Sequence, residues 1–115
     1  MQAVRVGLFV AAAVLPFAAA NAESGIASHY SDLSVTASGR AYHSGAMVAA
    51  HRSLPFGTKV RVKNKRTGKS VVVTIVDRGP FVKGRIIDLS KGAANALGFN
   101  GLSNVEVAVV GKNRK

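Results

Sequence analysis

"VVVTIVDRGPF", Val71 to Phe81, is the segment on which the fold assignment turns. Its β-branched, apolar opening has the composition of a strand buried on both faces. The run stops at Asp77, and Arg78-Gly79-Pro80 has the residues of a turn. Only 5 of the 115 residues are acidic. One of these five thus stands where a buried strand opens into a loop. Asp77 is there either as a turn residue accepting backbone N–H bonds or as a carboxylate that does chemistry.

The flanks supply the rest of a mainly β fold. Upstream, "KVRVKN" alternates, with Val60 and Val62 on one face and basic residues on the other. "KRTGKS", with Gly68, joins it to the valine run as a hairpin. Further upstream, "RSLPFGT" reads as a turn and "AMVAAH" as a short apolar run ending at His51. "SDLSVTASGRAYHSG", residues 31–45, is polar, glycine-punctuated and read as a long surface loop. "GIASHY", Gly25 to Tyr30, is a first strand.

Downstream, "RGPFVKGR" is a loop and "IIDLS" a brief strand. "SKGAANALG" is a helix capped by Ser90 and ended by Gly98, with Ala93, Ala94 and Leu97 on one face. Gly92 weakens it by roughly 1 kcal/mol relative to alanine. "SNVEVAVV", Ser103 to Val110, is a last alternating strand. Six strands with one or two short helices in so few residues predict a small closed barrel, since closure removes exposed edges.

Residues 1–22, "MQAVRVGLFVAAAVLPFAAANA", read as an export signal. Arg5 precedes an apolar run, and Ala20-Asn21-Ala22 is a small-x-small cleavage pattern. Cleavage after Ala22 is expected, with a domain over 23–110 and a basic tail over 111–115. The apolar run is short for a membrane span, so no stable insertion is expected after cleavage. No cysteine is present, which excludes lipidation at a cleavage-site thiol and leaves the core and backbone pairing to hold the fold. A monomer is expected.

With Arg5 removed from the 16 basic residues, 15 remain against 5 acidic, a balance of +10. Such a charge implies an anionic partner. Nucleic acid is the usual inference, but export argues against it. Outside the cytoplasm the polyanions are wall polymers, peptide-stem carboxylates and lipid head groups.

Thiol catalysis is excluded with cysteine. His29, His43 and His51 lack the spacing of a helical metal motif, and no metal or cofactor is expected. Acid–base chemistry by Asp77, Asp88 and His51 remains, each near a strand end and able to converge at one end of a barrel. Each also has a structural reading. Asp88 braces the start of the helix, and His51 is a hydrogen-bonded structural histidine. Tyr30 and Tyr42 are core rim or sugar-stacking platforms.

"GIASHYSD", "TASGRAY", "AAHRSLPFGTKVRVKN", "VTIVDRGPF" and "GRIIDLSKGAANALG" occur in this order. Together they resemble the rare lipoprotein A family of septal-ring lytic transglycosylases, over nearly all of Gly25 to Val110. The resemblance implies a six-stranded double-psi β-barrel related to expansins. It implies cleavage of peptidoglycan glycan strands between N-acetylmuramic acid and N-acetylglucosamine, with a 1,6-anhydro product and no cofactor. It makes Asp77, His51 and Asp88 the catalytic candidates. Thr36, Ser38, Arg40, Tyr42, Arg78 and Phe81 become candidates for substrate binding. Burial beside an apolar neighbour such as Phe81 would favour the proton-donating form of Asp77. A non-catalytic wall-binding or wall-loosening barrel is the alternative.

Two positions depart from the family pattern. Arg40 stands where the family commonly has Glu, and His43 where it commonly has Asp. A cation in a groove beside a catalytic carboxyl favours its ionised form and slows a reaction that begins with proton donation. Arg40→Glu is therefore expected to raise release of soluble muropeptides from sacculi and to move the pH optimum upward. An unchanged rate and pH profile would mean that Arg40 does not face the groove.

Overall fold

The computed structural model describes residues 22–30 and 45–112. The described elements are β1 (Ala22–His29), β2 (Val48–Ala50), β3 (Thr58–Asn64), β4 (Ser70–Asp77), β5 (Arg85–Leu89), α1 (Lys91–Leu97) and β6 (Ser103–Lys112). The strands close into a barrel in the order β1-β5-β2-β4-β3-β6, with β6 returning to β1. Two neighbouring pairs are parallel, β1 with β5 and β2 with β4. The other four contacts are antiparallel.

The expected strands are present with shifted ends. β1 starts three residues earlier than Gly25, because Ala22 to Ser24 pair with Ala108 to Glu106. β6 runs on to Lys112, opposite Thr58. The valine run needs correcting. Val73, Ile75 and Val76 are buried, but Val72 is 41% exposed and Val71 only partly buried. The first half of β4 is one arm of a hairpin with β3, and its outer face meets solvent. Valine there serves pleated backbone geometry rather than burial on two sides.

Inside, strand alternation assembles one apolar core. Ala27, Ala49, Val60, Val62, Val73, Ile75, Ile87, Leu89, Val105 and Val107 point inward. At one end α1 adds Ala93, Ala94 and Leu97 to this core, with Phe99 beyond it. The helix caps are those read from the sequence. Ser90 accepts the Ala93 N–H, and Gly98 closes the helix at φ 82°. At the other end the segment 51–57 folds over the mouth, with His51 buried and Leu54 packed against the core. Among the described residues no helix is long and apolar enough to cross a membrane.

Asn64 fastens the helix to the hairpin. It is fully buried at the end of β3. Its Nδ2 donates to the Leu97 carbonyl at 2.9 Å, and its Oδ1 accepts the Arg66 N–H at 2.9 Å. One side chain thus satisfies the C-terminus of α1 and the turn together. Asn64→Ala strands a buried carbonyl, and each such loss typically costs about 1–3 kcal/mol. Urea unfolding should show a lowered midpoint with an unchanged slope.

Candidate functional site

The two aspartates come together on the outer wall of the barrel. Ala50 of β2 is paired with Asp77 of β4 on one side and with Asp88 of β5 on the other. Asp88 is in turn opposite Ser28 of β1. A row Ser28, Asp88, Ala50, Asp77 therefore crosses four adjacent strands. Neighbouring strands lie about 4.8 Å apart, so the aspartate Cα atoms are about 10 Å apart across Ala50. The register shift between Ala49 and Ala50 sets Asp77, rather than Val76, opposite Ala50. Ala50, small and buried, is the residue between the two carboxyls.

Each carboxyl has its own surroundings. Asp77 Oδ1 accepts the Arg78 N–H at 2.9 Å, and Oδ2 accepts the Tyr30 hydroxyl at 3.4 Å. Asp88 accepts the Ser28 hydroxyl at 3.2 Å. Burial pushes the Asp88 pKa above the usual 3.8. The Ser28 hydrogen bond opposes the rise, and the nearby charge of Asp77 adds to it.

His51 is not part of this row. Successive strand residues face opposite sides of a sheet. Ala49 points into the core and Ala50 outward, so His51 turns back toward the barrel mouth. Its Nδ1 accepts the N–H groups of Ser53 and Leu54 at 3.1 and 3.2 Å. The proton therefore sits on Nε2, which donates to Glu23 Oε1 at 3.1 Å. Both ring nitrogens are engaged there. The link between His51 and Asp77 is main chain, from His51 N–H to the Asp77 carbonyl at 3.1 Å.

Arg78 faces the same mouth segment. Its Nη1 donates to the carbonyls of His51 and Leu54 at 3.2 and 2.8 Å, and its guanidinium lies 4.1 Å from the centre of the Phe56 ring. It clamps the segment 51–56 to the end of β4. Phe81 is 75% exposed and does not bury Asp77 as expected. The chain turns away at Gly79, whose φ of 119° suits glycine, and carries the Phe81 ring into solvent. Thr36, Ser38, Arg40, Tyr42 and His43 lie outside the described residues.

Sequence reasoning missed Ser28, Ala50 and Glu23, and left Tyr30 without a partner. Ser28 lies near the end of β1 and Tyr30 just beyond it, two residues apart. What they would meet there depends on parallel pairing with β5, which local pattern does not encode. Among the described residues, no group of three His, Asp or Glu side chains is placed to hold a metal ion.

Residues 22–109 match the family model described as lytic transglycolase. The chain belongs to that family. Among its relatives is the probable endolytic peptidoglycan transglycosylase RlpA of Synechocystis sp., 48% identical over 96% of this chain and 35% of that protein. The protein of the same name from Nostoc sp. is 58% identical over 67% of this chain and 21% of its own length. The endolytic peptidoglycan transglycosylase RlpA of Pasteurella multocida is 44% identical over 82% and 34%. This lytic transglycolase chain thus spans about a third or less of the curated relatives named here.

Solved structures agree on the fold. The Streptomyces papain inhibitor superposes with a TM-score of 0.63 at 20% identity, covering 79% of this chain and 96% of its own. An expansin of Clavibacter michiganensis gives 0.64 at 24%, covering 82% and 52%. The fold is the expected six-stranded double-psi β-barrel with one described helix.

The raised pKa of Asp88 has a definite sign in stability. Folded chain keeps the Asp88 proton over a pH window in which unfolded chain has lost it. The Asp88 contribution therefore falls as pH rises from 3.8 through the raised native value. Asp88→Asn should remove that fall from a stability–pH curve. Ser28→Ala, which removes the opposing hydrogen bond, should move the Asp88 carboxyl titration, followed by NMR, further upward. A downward shift would show that the Ser28 hydroxyl does not favour the carboxylate.

Proposed function

We propose that this chain is a lytic transglycosylase that cleaves peptidoglycan glycan strands and leaves a 1,6-anhydro end. The observation that carries the reading is the pair of unlike carboxyls on either side of Ala50. Asp88, partly buried, keeps its proton to higher pH than an ordinary aspartate and serves as the acid. Asp77 accepts two hydrogen bonds suited to a carboxylate and serves as the base. Membership of the lytic transglycolase family and the names of the relatives support the same reaction.

In this mechanism Asp88 gives its proton to the glycosidic oxygen between N-acetylmuramic acid and N-acetylglucosamine as the C1–O bond breaks. The 6-hydroxyl of the same muramic acid bonds to C1, and Asp77 takes the proton it loses. No water has to be positioned, unlike two-carboxylate hydrolysis. Phe81 offers an exposed ring face to a pyranose. Thr36, Ser38, Arg40 and Tyr42 remain proposed contacts for the glycan. Arg78 and His51 act from beneath by holding the strand ends that carry Asp77 and Ala50.

The residue 1–22 segment is proposed as an export signal, which brings the domain to the compartment that holds peptidoglycan. Digestion of purified sacculi tests the whole reading. Wild-type protein should release anhydro-muropeptides. Asp77→Asn and Asp88→Asn should each lower the rate by about 10² to 10⁴, the usual worth of general acid–base help. Normal melting curves must accompany the loss. Wild-type binding to sacculi without any anhydro product would instead make the chain a non-catalytic wall-binding barrel.

A further inference from the structure

Cations away from the aspartates form a row. Val60 and Val62 point inward from β3, so Lys59, Arg61 and Lys63 stand on the outer wall. The row passes into the hairpin at Lys65 and Arg66, both exposed. These two line an open groove of about 730 Å³ together with Ser24, Leu102, Ser103 and Asn104. The backbone under it is fixed. Lys65 N–H donates to the Asn104 carbonyl at 3.0 Å, and Arg66 N–H donates to Asn64 Oδ1 at 2.9 Å. Leu102, 52% exposed, puts an apolar side chain on the groove wall.

We propose that this groove binds a carboxylate-bearing peptide, the chemistry of the acidic stems of peptidoglycan; its biological ligand rests on the function proposed above. Lys65 and Arg66 meet the carboxylates. The hydroxyls of Ser24 and Ser103 and the amide of Asn104 match peptide N–H and C=O groups. Leu102 covers a small side chain such as alanine. A phosphodiester chain would use the cations but gain little from the amide and the leucine. A bilayer is too flat for a concave groove.

The described carboxylates fit this placement. Glu106 is opposite both Lys63 and Ser24, so it sits beside the groove and balances Lys63, which leaves Lys65 and Arg66 as the groove's cations. Glu23 is held by His51, and Asp77 and Asp88 flank Ala50. Ser24 lies four positions before Ser28, the Asp88 partner, or about 13 Å along an extended strand. The groove and the aspartate row are therefore separate sites. One can hold a stem while the other acts on a glycan.

The test uses the full chain and NMR titration with an Ala-Glu-Lys-Ala tetrapeptide carrying free carboxylates. Its amidated form, inorganic phosphate, phosphatidylglycerol vesicles and a single-stranded oligonucleotide are compared at one ionic strength. The peptide should shift the amides of Ser24 and Leu102 to Asn104, and the amidated form should bind at least ten-fold more weakly. A Lys65→Gln, Arg66→Gln double variant should lose at least ten-fold in affinity with an unchanged Tm, while Asp77→Asn binds as wild type. Shifts centred on Ala50, or amidated peptide, phosphate, vesicles or oligonucleotide matching the acidic peptide, would overturn the proposal. Peptide binding without anhydro product would sink the cleavage reaction and leave this site standing. Cleavage without peptide binding would do the reverse.

Discussion

A six-stranded barrel of this size has room inside for aliphatic side chains and little else. Its interior is filled by valine, isoleucine, leucine and alanine from the strands and from α1. An unpaired charge there would cost far more than so small a core returns. Chemistry is therefore confined to the outer wall and the two ends. The residues of β2 and its exit illustrate the constraint. Ala49 fills the core, Ala50 floors the gap between the aspartates, and His51 returns to seal the mouth. A slip of one residue would exchange all three roles.

Most of the fold was legible because its elements carry their own signals. The alternation of Val60 and Val62 with basic residues marked β3, and Ser90 and Gly98 bounded α1. The exposed start of β4 was misread because β-branched residues report pleated backbone as readily as burial. The candidate site was legible in part. Asp77 and Asp88 were picked out from their places at or near strand ends, and the sheet sets them on either side of Ala50. The company of His51 was not legible, since its partners Ser53, Leu54 and Glu23 depend on how the mouth closes. Phe81 was misjudged because the direction of the chain after Gly79 is a backbone property.

Much of what surrounds the aspartates is devoted to holding them. Arg78 uses its guanidinium on two carbonyls and an aromatic ring. The ring of His51 fixes the turn through Ser53 and Leu54, and its backbone N–H meets the carbonyl of Asp77. The contacts of Arg78 and His51 thus fasten the ends of the strands that carry the carboxyls.

The strand order also governs how the chain can acquire its shape. β1, the first strand, pairs with β5 and β6, the last two, so Ser28 meets Asp88 across 60 residues of sequence. Contacts that distant in sequence form late and slowly compared with a hairpin such as β3–β4. A chain made or threaded from its N-terminus keeps β1 without its neighbours until the C-terminal strand emerges. Over that interval its backbone N–H and C=O groups are open to any other strand edge, a window for misassembly in proteins of this topology.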